Sequence, residues 1–140
     1  MPIRYILDTD TVTYQQLGRE LVLRHLSQTP SDEIATTVVT MYEQLRGRLA
    51  AVNRQQTALQ LQRAFHHLRA TQLYYCQVPV LLFDESAQAH YEDLLKQKIR
   101  IGTQDLRIAA IALSERAVLV TSNQRHFGEV PGLRLEDWNQ

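Results

Sequence analysis

Ile3-Arg4-Tyr5-Ile6-Leu7-Asp8-Thr9-Asp10 carries a carboxylate straight out of a short apolar run near the start of the chain. Ile3 to Leu7 has the length and apolar content of a buried strand. Asp8 then falls at that strand's carboxyl end, and in α/β proteins those ends border the crevice where ligands bind. Two further acids occupy comparable places, Glu43 along one expected helix and Asp105 in the first turn of another. Carboxylates converging on one crevice repel each other unless a cation neutralises them. The pattern therefore points to hard, oxygen-liganded metal ions.

The remaining chain supplies a frame for these acids. Helices are expected over Thr9 to Leu17 and Glu20 to Leu26, parted by Gly18, with a turn around Pro30-Ser31-Asp32. Glu33 to Ala35 reads as a brief strand. Thr36 or Thr37 then caps a helix through Met41, Leu45, Leu49 and Val52, which recur at helical spacing. Gly47 inside that helix costs about 1 kcal/mol against alanine, which hints at close packing. Leu59 to Leu73 completes a helical hairpin. Val80 to Phe83 is a strand, and Asp84 caps a helix through Leu95. Gly102-Thr103-Gln104-Asp105 opens a helix whose core face is Ile108, Ala109, Ile111 and Ala112. Ala117 to Thr121 is a buried strand, Asn123 to Phe127 a short turn or helix, and Leu133 to Leu135 a last strand. Strands alternating with helices in this order imply one three-layer α/β domain over residues 1–140, with a mostly parallel central sheet flanked by helices.

Composition narrows the classes. The 140 residues suffice for one substantial core, and an apolar share of 44% with 21% charged residues describes a globular chain rather than a disordered one. No run is long and apolar enough for a membrane span, and no leader precedes the first strand, so a cytoplasmic location is expected. Cys76 is the single cysteine, which excludes an internal disulfide and a cysteine zinc site. Fifteen basic residues balance fifteen acidic ones. That balance speaks against indiscriminate nucleic-acid binding but allows a local basic rim. Only Lys96 and Lys98 among the cations are lysines, and arginine suits bidentate contact with phosphate.

Three segments in succession resemble the motifs of PIN domains: Tyr5-Ile6-Leu7-Asp8-Thr9, Thr40-Met41-Tyr42-Glu43-Gln44-Leu45-Arg46-Gly47, and Gly102-Thr103-Gln104-Asp105-Leu106-Arg107-Ile108-Ala109-Ala110. Leu119-Val120-Thr121-Ser122-Asn123 and Val130-Pro131-Gly132-Leu133-Arg134-Leu135-Glu136-Asp137-Trp138 look especially like VapC-type toxins. The resemblance spans nearly the whole chain. It implies a metal-dependent ribonuclease in which Asp8, Glu43 and Asp105 match the three principal metal-binding acids. Asn123 matches a fourth position, often aspartate, and retains only a carbonyl oxygen there. The loss of one charge favours a single Mg²⁺ or Mn²⁺. Asp10, where the family commonly has asparagine, restores part of that charge or caps the following helix. Further implications are an RNA substrate, a homodimer, and inhibition by a small antitoxin.

Thr9, Thr121 and Ser122 are expected to hydrogen-bond water or carboxylate near the acids. Arg46 and Arg107 are candidate substrate contacts, with an ion pair to Glu43 as the rival role of Arg107. Arg46, Arg48 and Arg54 could equally line a dimer interface or a solvated helix face. The His66-His67 pair cannot share one ion, because adjacent helical residues diverge by about 100°. His25, His90 and His126 show no partner spacing. Trp138 and Leu135 are expected to pack the chain end against the sheet, and Tyr74-Tyr75 to lie at a helix end on the core rim.

Two other functions fit parts of the chain. Asp8-Thr9-Asp10-Thr11-Val12 looks like the opening of haloacid-dehalogenase-type phosphatases, with Asp8 as nucleophile and Asp10 as acid/base. Those enzymes also want a lysine before a late acidic pair, and Asp105 has no acidic neighbour. A PIN-like binding module with a decayed metal site is the third reading, supported chiefly by Asn123. A response-regulator receiver is excluded because no lysine follows Lys98.

Overall fold

Alternation along the first strand builds two cores at once. In β1 (Tyr5–Leu7), Ile6 joins one apolar cluster while Tyr5 and Leu7 join another, as the two-residue period of a strand requires. β4 (Val118–Val120) splits the same way, Leu119 to the first cluster and Val120 to the second. A sheet apolar on both faces must be covered on both. The computed structural model describes residues 2–140, with Met1 of the expected domain outside the described residues.

The chain runs from β1 into α1 (Thr9–Gln16), α2 (Glu20–Ser27), a 3-10 turn (Ser31–Glu33), β2 (Ile34–Thr37), α3 (Val38–Val52) and α4 (Ala58–Gln77). It continues through β3 (Val80–Leu81), α5 (Glu85–Lys96), α6 (Thr103–Glu115), β4, α7 (Gln124–Phe127) and β5 (Leu135–Glu136). Five strands form one sheet in the order β3-β2-β1-β4-β5, with every pairing parallel. Tyr5 faces Ile34 on one side and Val118 on the other. Successive connections travel outward from β1 through β2 to β3, then return to β4 and leave the opposite way. The reversal puts a topological switch point beside the carboxyl ends of β1 and β4.

One cluster buries Ala87, Leu94, Leu106, Ile108, Ile111 and Phe127 from α5, α6 and α7 against Ile6 and Leu119. The other packs Val12 of α1, Val22 of α2 and Trp138 against Leu7 and Val120. The three expected layers are thus present. Trp138 packs the chain end against the sheet as expected, with Tyr5 at 5.1 Å between ring centroids and His25 stacked at 5.4 Å.

Helix starts follow their caps. Asp8, Thr37 and Asp84 each accept a backbone N–H two or three residues into α1, α3 and α5, each worth about 1 kcal/mol. Thr57 and Gln60 form a reciprocal capping box at α4. Asp8, not Asp10, caps the first helix. Gly18 ends that helix with φ +75°, a backbone region that a Cβ disfavours.

Several boundaries differ from expectation. The expected 33–35 strand lies over Ile34–Thr37, because Glu33 ends the 3-10 turn and bonds Arg4 at 2.9 Å. The β-branched run Ile34, Thr36, Thr37 then favours extension. The last strand starts at Leu135, since Gly132 at φ +80° still belongs to the preceding turn. Close packing at Gly47 is not found: a Cβ there would meet nothing within 4 Å. Gly47→Ala is therefore expected to raise stability by about 0.5–1 kcal/mol. Urea denaturation checks this, and a lower midpoint would show that Gly47 serves some contact.

Candidate active site

Asp8 is 3% exposed at the carboxyl end of β1. Its position as the cap of α1 fixes the side chain: Oδ1 accepts the Thr11 N–H at 2.8 Å. Burial pushes its carboxyl up to about 6. The Thr121 hydroxyl and the Thr11 N–H oppose that rise, and the charge of Asp10 adds to it. Thr121, fully buried at the end of β4, accepts the Asn123 N–H at 2.9 Å. That contact leaves its own hydroxyl proton uncommitted, and Thr121 lowers the Asp8 pKa.

Glu43 comes from the second turn of α3, half-buried. Its Oε1 accepts the Thr9 hydroxyl at 2.8 Å. Desolvation raises its pKa, the Thr9 bond lowers it, and the charges of Asp105 and Asp10 raise it further. Asp105 lies in the first turn of α6, also half-buried. Its pKa rises through desolvation and then through Asp10, with His126 pulling the other way. Asp10 thus links the acids of three separate segments, its charge reaching Asp8, Glu43 and Asp105, while Asp105 also acts on Glu43. Among the described residues, no three histidine, cysteine or acidic side chains already lie within one ion's coordination distance. Desolvation is the main reason their pKa values rise, and neighbouring negative charge adds to it.

The donor chemistry nevertheless suits a hard divalent cation. Every acid carries oxygen donors, and Asn123 on the β4–α7 loop has an amide carbonyl oxygen, its Nδ2 lying 3.1 Å from His126 Nδ1. Asp10 is exposed at the rim, where its charge reaches Asp8, Glu43 and Asp105. The supporting role of Ser122 meets a different geometry, because its hydroxyl donates to Asp137 Oδ1 at 2.9 Å. Arg107 makes no ion pair with Glu43. It reaches Gln104 at 3.2 Å and lies 5.5 Å over the Tyr91 ring. Arg46 is exposed three residues beyond Glu43, on the same helical side, while Arg48 is taken by the Thr71 hydroxyl at 2.9 Å.

Two contributors were not legible from spacing. His126 lacks a partner in sequence, yet α7 brings its Nδ1 to 3.1 Å from Asn123 Nδ2 and its charge to Asp105. Gln44 is a buried hub beside Glu43. It exchanges amide bonds with Gln16 at 2.9 and 3.0 Å, donates to Thr13 and accepts the Tyr75 hydroxyl at 2.7 Å. This network ties α1, α3 and α4 together at the residue next to Glu43. A buried glutamine without these bonds would cost about 1–3 kcal/mol.

Similarity to known proteins agrees with this architecture. The PIN domain family model matches residues 5–133. Ribonuclease VapC1 of Haemophilus influenzae is 32% identical over 97% of this chain and 98% of its own. The tRNA(fMet)-specific endonuclease VapC of Salmonella typhimurium is 25% identical, over 97% of this chain and 98% of its own. The solved VapBC-1 structure from nontypeable Haemophilus influenzae contains a chain 28% identical with a TM-score of 0.76, covering 99% of this chain and all of that one. With acids at the switch point of a parallel sheet and a family match over nearly its full length, the chain belongs to the PIN domain family, in its VapC branch.

Proposed function

We propose that this chain is a divalent-metal-dependent endoribonuclease, the toxin of a toxin–antitoxin pair, acting as one domain over its whole length. The observation that carries the reading is the convergence of Asp8, Glu43, Asp105 and Asp10 at the β1/β4 switch point, where burial and mutual repulsion raise three of their pKa values. An acidic cluster with one buried and two half-buried carboxylates gains from a cation. VapC-type PIN nucleases as a class depend on divalent metal, and Mg²⁺ or Mn²⁺ is the ion assigned here. Asp8, Glu43 and Asp105 would hold it, with Asn123 as a neutral fourth ligand.

When bound, such an ion supplies a low-pKa water and positive charge at the scissile phosphate. The chain's own groups do the remaining work. The Thr11 N–H holds Asp8, Thr9 holds Glu43, and the N-terminal turn of α6 presents Asp105. Arg46, exposed beside Glu43, is placed to meet a phosphate of the RNA strand. Arg107 lines a groove with Tyr42, Phe83 and Gln104, and we assign that groove as a path for the strand. No serine, cysteine or histidine nucleophile is required.

An antitoxin and a second copy of the chain are the proposed partners, and a cytoplasmic location is retained as part of the reading. The VapBC-1 likeness supports the antitoxin. Among the described residues, no helix is long and apolar enough to cross a membrane. The phosphatase and decayed-module readings are not favoured by the relatives, which carry ribonuclease and endonuclease names.

The test offers the purified protein mixed cellular RNA and total tRNA, with Mn²⁺ or with excess chelator. Discrete fragments that need the metal are expected. Intact RNA in both conditions, despite metal binding measured independently, would reject the ribonuclease reading. Metal-dependent phosphate release from a phosphomonoester would favour the phosphatase instead.

A further inference from the structure

Hydroxyl protons can be counted, and around Glu43 the count leaves one arrangement. Thr9 donates its only hydroxyl proton to Glu43 Oε1 at 2.8 Å. Its second contact, 3.1 Å to Thr40 Oγ1, must then be one that Thr9 accepts and Thr40 donates. Thr40 has thereby spent its proton too, so in the 3.3 Å contact between Thr37 and Thr40 the donor is Thr37. The Thr37 oxygen in turn accepts the Thr40 backbone N–H at 3.0 Å, which is the cap of α3. The three hydroxyls form a one-way chain that starts on a helix cap and ends on a carboxylate.

Each donor in such a chain polarises the next. Thr37 and Thr40 are both fully buried, so solvent offers them no replacement partner. Thr40 also stands three residues before Glu43 on α3, and therefore on the same side of the helix. The chain spans β2, α3 and α1, the three segments whose meeting brings the Thr9 hydroxyl onto Glu43. It occupies Oε1 and leaves Oε2, which takes no hydrogen bond from the described residues.

We propose that Thr40 is a positioning residue for the acidic centre: acting through Thr9, it fixes the Glu43 carboxylate so that Oε2 is held ready for a cation. The proposal rests on the reading of Glu43 as a metal ligand. Thr40 touches neither metal nor substrate, and its effect is confined to how well Glu43 is oriented. Partners one bond outside a ligand typically change metal affinity 10- to 100-fold. A residue one link further out should have a smaller effect.

The experiment measures Mn²⁺ affinity of the full chain by titration calorimetry, with metal-free melting curves to confirm folding. Thr40→Val, which removes the hydroxyl at nearly equal volume, is expected to weaken binding about 3- to 10-fold. Thr40→Ser, which keeps the hydroxyl, should stay within about twofold of the parent. In a Glu43→Gln background, Thr40→Val should add no further loss, which a merely structural role would not produce. Should Thr40→Val fail to fold, Thr9→Val breaks the same chain one link later and is read in its place.

The two ways of failing separate cleanly. Unchanged Mn²⁺ affinity in Glu43→Gln overturns the ligand reading, and the proposal with it. Weakened binding in Glu43→Gln beside parental binding in Thr40→Val overturns the proposal alone. Equal losses in Thr40→Val and Thr40→Ser, or an undiminished Thr40→Val effect without the Glu43 charge, would identify a packing defect and also overturn it.

Discussion

Asp8→Asn and Asp105→Asn are each expected to lose more than about 100-fold of RNA cleavage while remaining folded, since even outer-shell partners of a metal cost up to that much. The loss arises because an amide oxygen carries no net charge to offer a hard cation. The fold survives for different reasons at the two positions. At Asp8, asparagine still accepts the Thr11 N–H and caps α1 about as well as aspartate. At Asp105, the side chain lies in the first turn of α6 and is half-buried. Losing its charge removes a favourable helix-dipole contact of about 0.3–1 kcal/mol and relieves repulsion by Asp10. Single-turnover cleavage of a defined RNA in Mn²⁺ checks both variants. Parental rates in either would remove that acid from the metal site.

In the metal-free protein, Asp8→Asn is expected to be more stable than the parent at neutral pH, by on the order of 3 kcal/mol at most. Burial lifts the folded-state Asp8 carboxyl from its ordinary value of 3.8 to about 6. The folded state then binds this proton more tightly than the unfolded chain does. Its stabilising contribution is complete below about pH 4 and is lost as pH rises through about 6. Glu43 and Asp105 move in the same direction, also through desolvation first.

The parent should therefore gain on the variant as pH falls from 7.5 to 4.5. Urea midpoints of the two proteins in chelator, compared at both pH values, isolate the Asp8 term from all other titrating groups. A divalent cation should reverse the order at neutral pH, because it binds the parent's folded state and not its unfolded one. A variant less stable than the parent at pH 7.5 in chelator would mean that the Asp8 charge is already compensated within the chain.

The two results answer different questions about one side chain. An acid held at a cost in the metal-free state, and needed for cleavage, is the expected signature of a ligand rather than of a simple helix cap. The cap accounts for where Asp8 points. It does not account for a carboxylate at a position where asparagine would serve the helix equally well.

The sequence by itself determined the element order, the parallel α/β class and the three acids. These depend on local patterns: strand length, apolar spacing and capping residues at Thr37 and Asp84. It also located Trp138 at the chain end, because a lone tryptophan after a short strand has little else to bury against. Other features were decided only in three dimensions. Gly47 looked like a packing site, since its cost is visible along the helix while the open space around it is not. Ser122 looked like a partner for the acids, but the chain end delivers Asp137 to its hydroxyl. His126 had no partner in spacing, and the four-residue helix α7 carries it to Asn123 and its charge to Asp105 of α6. The threonine chain is the clearest case. Thr37 is legible as a cap and Thr9 as a hydrogen-bonder near the acids, but only the meeting of β2, α1 and α3 joins their hydroxyls through Thr40 into one directed path. A hydrogen bond needs two groups within about 3 Å, and separation along the chain carries no information about that distance once the chain has folded back on itself.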